Sequence, residues 1–133
     1  MQNAQLADAT ELLQFLPSEL STKRRTFLSN NPEDLKLLTL AKATMARSNS
    51  QSAAALRDNT GRTYVAIDVA TGDFKVDSLL AVLVVAKASS ITGIEAIVVC
   101  GQQPTAPSIS VIKQEDSGAK IYFVSDQDEL VSL

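Results

Sequence analysis

The chain has 133 residues, 45% of them hydrophobic, and a net charge of −3. That is enough for one domain with its own core, and the charge argues against a general nucleic-acid coat or a protein of anionic membrane surfaces. Histidine is absent and Cys100 is the single cysteine, so an intrachain disulfide, an imidazole metal site and Ser-His-Asp or Cys-His catalysis are excluded, and zinc is left with carboxylates.

The first residues, Met1 to Glu11, lack the basic and apolar regions of a secretory signal. A stripe of Leu6, Ala9, Leu13 and Leu16, flanked by Leu12 and Phe15, predicts a helix that Pro17 ends. A second short helix is expected over Ser18 to Leu28. It carries the one basic cluster, Lys23-Arg24-Arg25, with Phe27 beside it. Next comes the clearest start signal in the chain. Asn31 can cap, Pro32 suits the first helical position, and Glu33 and Asp34 favour the positive end of the helix dipole. In this helix Leu35, Leu38 and Met45 share one line and Leu37, Leu40 and Ala41 another, a face wide enough for two neighbours. Ser48 to Ser52 interrupts it, and Ala53 to Arg57 reads as one more helical turn. A helix-turn-helix reading of this region is weak, because Arg57 is the only basic residue of its second helix.

The character changes at Arg57 to Arg62. Residues 1–62 hold eight basic and six acidic residues, a net of +2, whereas residues 63–133 hold four and nine, a net of −5. Tyr64 to Val76 alternates as a strand does and is expected to fold into a hairpin about Thr71-Gly72. An even loop sets Val69 against Phe74, Asp68 against Lys75 and Ile67 against Val76. Asp77 or Ser78 can then cap a buried helix over residues 78–90. Its apolar run, Leu79 to Ala86, is far short of the about 20 residues that span a bilayer. Gly93 to Gly101 reads as a central strand with Cys100 in the core. Gln102 to Ser108 reads as a linker, and "PSISVIK" and "AKIYFVS" as two strands of a second hairpin joined by "QEDSG". The last eight residues read as a helical turn or a tail.

The expected fold is therefore a single α+β domain over 1–133. A helical region, 1–60, precedes a sheet-plus-helix region, 61–133. The sheet is mainly antiparallel, in β-β-α-β-β-β order with one buried helix on it. No stretch ties the chain to a known family, and no residue is assigned a catalytic, metal or cofactor role. The leading expectation is a non-enzymatic cytosolic interaction module, an adaptor, assembly factor or regulatory subunit. It would bind a protein partner or a second copy through Leu12, Phe15, Leu16, Lys23, Arg24, Arg25, Phe27, Leu37 and Leu40. One alternative is a nucleic-acid-linked regulator using Lys23, Arg24 and Arg25. Another is a carboxylate enzyme or nucleotide sensor with Mg²⁺ at Asp68, Asp73 or Asp77.

Overall fold

The computed structural model describes residues 28–133. Its elements run β1 (Leu28–Ser29), α1 (Pro32–Ser48), β2 (Ser52–Asp58), β3 (Thr63–Ile67), β4 (Val69–Thr71), β5 (Phe74–Val76), α2 (Ser78–Ala88), β6 (Ile94–Gly101), α3 (Ala106–Glu115), β7 (Lys120–Val124) and β8 (Leu130–Ser132). Six strands form one sheet in the order β1-β8-β7-β6-β2-β3, and β4-β5 make a separate hairpin. The sheet is antiparallel except where β6 meets β7. A mixed α+β fold with a largely antiparallel sheet is thus what the chain adopts. The helices expected over residues 6–28 lie outside the described residues, except that Leu28 opens a strand.

Two layers of side chains fix the helices to the sheet. On one face Leu37 and Ala41 of α1 pack on Ala53, Ala55, Ala96, Val98 and Cys100. On the other, Leu79, Val82, Leu83 and Ala86 of α2 and Ile112 of α3 pack on Ala54, Leu56, Ile97 and Val99. The start signal of α1 works as its residues dictate. Asn31 accepts a hydrogen bond from the Glu33 amide at 2.9 Å, and Asn49 closes the helix in the left-handed region.

Two elements differ in kind from the sequence reading. Ala53 to Arg57 is not a helical turn but lies in β2, whose seven residues are all buried between β3 and β6. Alanine and leucine favour helix in isolation. Here the small size of the three alanines lets α1 and α2 approach the sheet from both sides, and tertiary context overrides propensity. "PSISVIK" is not a strand but most of α3, and "QEDSG" ends that helix rather than turning a hairpin. Its buried residues, Ser108 and Ile112, lie four apart, the spacing of a helix face. As a result β6 and β7 are parallel, joined through α3, as a crossover requires. The chain end is likewise a strand, β8, rather than a helical turn.

The hairpin exists in a different register. Val69 faces Val76, Ala70 faces Lys75 and Thr71 faces Phe74, so the loop is Gly72-Asp73. Ile67 is already paired with Ala53 in the main sheet. Asp68 is held there too, accepting from the Ser52 amide at 3.0 Å. With both residues committed, the turn sits one residue further along, at Gly72-Asp73 instead of Thr71-Gly72. Gly72 supplies the positive φ, 56°, at the first loop position.

Gly101 ends β6 at φ 88°, and a Cβ there would stand 2.2 Å from the Gln51 carbonyl oxygen and 2.8 Å from Met45 Sδ. Gly101→Ala should therefore lower stability by about 2–3 kcal/mol. A matching fall in urea midpoint against wild type checks this, and an unchanged midpoint would show that the strand end relaxes freely.

Candidate functional site

Helices α2 and α3 both return against β6, one leading into it and the other leaving it. They pack on the same face of the sheet. An ion pair between Lys87 and Glu115 joins their C-terminal ends. Each of those residues lies ten positions beyond its own helix cap, Asp77 or Thr105. The two helices are therefore nearly parallel, and both N-termini stand at the end of the pair where β6 finishes. Two positive dipole ends with unused amide donors share that end.

Two cap side chains and one from the first turn of α3 occupy it. Asp77 receives the Leu80 amide on Oδ1 at 2.9 Å, while its Oδ2 is buried and has no hydrogen-bond partner among the described residues. Thr105 caps α3, and its Oγ1 lies 3.1 Å from Ser108 Oγ. Ser108 and Pro104 are buried. Ser78 and Leu79, which follow Asp77, are buried as well, Leu79 within the core beneath the helix pair. A buried acceptor without a donor costs on the order of 1–3 kcal/mol, so Asp77 Oδ2 is a place where a donor from a ligand would be welcome.

The other candidates distribute differently. Asp68, Asp73 and Asp77 do not converge. Asp68 is tied to Ser52, Asp73 is exposed in the hairpin loop and Asp77 caps α2. Among the described residues no group of three or more Cys, Asp or Glu side chains is placed to hold a metal ion. The second helix of a helix-turn-helix is the strand β2. Cys100 is buried beside Met45, with its sulfur 3.9 Å from Met45 Sδ, and burial pushes its thiol pKa up, the opposite of an activated nucleophile. Of the nine residues expected to meet a partner, Leu12, Phe15, Leu16, Lys23, Arg24, Arg25 and Phe27 lie outside the described residues. Leu37 is buried against the sheet, and Leu40 is half-buried on the same helix. An apolar groove of about 380 Å³ between β3, the hairpin and α2 is lined by residues such as Val65, Ile67, Phe74 and Val84. None of its lining side chains titrates, so it offers nothing for acid–base chemistry.

The sequence did mark Asp77, as a cap. Thr105 and Ser108 carry no such mark in the sequence, because the segment around them reads as a linker between strands. The signal that was there is Pro-Thr-x-x-Ser directly after a strand, a cap pattern that starts a helix.

The family model for cytidine deaminase-like proteins matches residues 30–128. No curated protein matches the chain by sequence. Among solved structures, a cytidine deaminase from Burkholderia pseudomallei is similar with a TM-score of 0.60 and 21% identity, covering 72% of this chain and 88% of that one. A cytidine deaminase from Mycobacterium leprae is similar with a TM-score of 0.58 and 15% identity, covering 72% and 90%. At these identities the structures speak for the fold. The family match corrects the leading expectation. A non-enzymatic adaptor, assembly factor or regulatory subunit is not what it points to, because the family is one of deaminase-like enzymes.

Zinc deaminases take their metal ligands from an H-x-E and a P-C-x-x-C segment, and the glutamate moves protons without binding the metal. The residues here do not fit that group. Pro104-Thr105-Ala106-Pro107-Ser108 keeps the proline and the spacing but has hydroxyls for both thiolates. Setting the first ligand on the cap of α2 gives Asp77-Ser78-Leu79, with a carboxylate for the imidazole and leucine for the glutamate. The only thiol of the chain is Cys100, inside β6.

Proposed function

Because the chain belongs to the cytidine deaminase-like family, we propose that it is an enzyme acting on the ring amine of a nucleobase-type heterocycle, at the N-termini of α2 and α3. The observation that carries this reading is the unpartnered, buried Asp77 Oδ2 at that end of the helix pair. It is the acceptor that an exocyclic amine or an attacking water needs.

The chemistry uses this chain's own groups. Water adds to the ring carbon that bears the amine. Asp77 takes one proton from that water and passes it to the departing nitrogen, the remaining hydroxyl proton moves to the adjacent ring nitrogen as the carbonyl forms, and ammonia leaves. Unused amides at the head of α3 donate to a ring acceptor, where the helix dipole favours partial negative charge. Thr105 and Ser108 add hydroxyls that both donate and accept. With no metal to acidify it, the attacking water stays a very weak acid, so turnover is slow compared with metal-assisted hydrolysis.

The test is chromatographic. The purified chain is incubated with cytidine, deoxycytidine, cytosine and adenosine, with and without a strong chelator. The expected result is the deaminated product of at least one of the four, formed at the same rate in both buffers. No product from any of them would reject the reading.

A further inference from the structure

We infer that this chain carries a zinc-free form of its family's site, in which a hydroxyl pair replaces the two thiolates and an apolar core residue replaces the proton-shuttling glutamate. The inference rests on the site location proposed above, and concerns what that site has become rather than which substrate it takes.

Three observations carry it. Thr105 and Ser108 keep the proline-led spacing, and their oxygens stand 3.1 Å apart, bonded to each other. Neutral hydroxyls are not among the groups that hold zinc in structural or catalytic sites, so this pair is closed on itself rather than opened toward a cation. Leu79 is fully buried in the core shared with Ile97, Val99 and Ile112. A carboxylate at that position would be desolvated among aliphatic side chains. Asp77 remains the one charged group beside Thr105 and Ser108, and its Oδ1 is already committed to the Leu80 amide. One carboxylate with one free oxygen is not a zinc site.

The change is conservative in shape, which makes it testable by reversal. Thr105→Cys and Ser108→Cys exchange hydroxyl for thiol at nearly constant size, and Asp77→His restores an imidazole at the helix head. Zinc content of the full chain, purified from zinc-supplemented cells, is measured by plasma mass spectrometry. Wild type should hold less than about a tenth of an equivalent, and the triple variant about one, with water as fourth ligand. If the triple variant does not fold, the Thr105→Cys/Ser108→Cys pair with Asp77 in place is loaded with cobalt. A thiolate-to-cobalt charge-transfer band is then expected, since carboxylate can serve as the third ligand. A stoichiometric metal ion in wild type would overturn the inference. So would a folded restored variant that takes up none, because the two helix heads would then not face a common point. Zinc-free wild type without any turnover rejects the proposed activity but leaves this inference standing.

Discussion

Asp77→Asn should reduce turnover of the amino-bearing base about 10²- to 10⁴-fold, the range that a positioned proton-transfer group contributes. The variant isolates chemistry from folding. Asparagine caps helices as well as aspartate does, so the bond to the Leu80 amide, 2.9 Å in wild type, survives. What is lost is the second oxygen as a base, because an amide cannot take the proton from water. Melting temperature and kcat/KM are measured side by side. An unchanged melting temperature with a collapsed kcat/KM is the expected pair of results. A variant that keeps its rate would remove Asp77 from the chemistry.

The largest stability effect is expected at Arg57. Its guanidinium, on a side chain 8% exposed, bonds Asp34 at 2.8 Å and Glu95 at 2.9 Å, and the Asp34 side chain is only 3% exposed. Burial works against the arginine's charge, but the hydrogen bonds to Asp34 and Glu95 outweigh it and raise its pKa. Arg57→Met leaves the Asp34 carboxylate buried with, among the described residues, only Ser29 Oγ as a donor. Breaking one side of a buried pair typically costs about 3–5 kcal/mol. Glu95 is more than half exposed, so its share is small. Adding Asp34→Leu should recover most of the loss, since an apolar pair of similar volume replaces a buried ion pair at little cost. Urea unfolding of the single and double variants measures both steps. A loss below about 1 kcal/mol in the single variant would mean that Asp34 finds water or another donor.

How far the sequence could be read depended on whether local chemistry and tertiary context agreed. They agree in α1, where Asn31, Pro32 and the acidic first turn act within a few residues of one another. At β2 they conflict. Nothing in Ala53-Ala54-Ala55-Leu56 speaks for a strand, and only the pressure of helices on both faces makes small residues the right choice. In α3 they conflict the other way, because Ile109, Val111 and Ile112 read as strand while Thr105 and Pro107 set a helix start. The hairpin register turned on a long-range bond from Ser52 to Asp68 that no local pattern reveals. The site was the least legible part. Asp77 stood out as a cap and as one of three scattered carboxylates, and a site built from helix caps looks like ordinary helix punctuation. With histidine absent and one cysteine, the signature that would have announced the family was missing from the residues that carry it, and the chain was read as having no catalytic constellation.

The central claim is that a nucleobase-type ligand sits where α2 and α3 begin. An amide NMR titration of the full chain with cytidine tests it most directly. The largest shift changes are expected at the amides of residues 77–80, 105, 106 and 108, with the far ends of both helices, near Lys87 and Glu115, unmoved. Changes confined to another part of the chain, or none at saturating ligand, would contradict it.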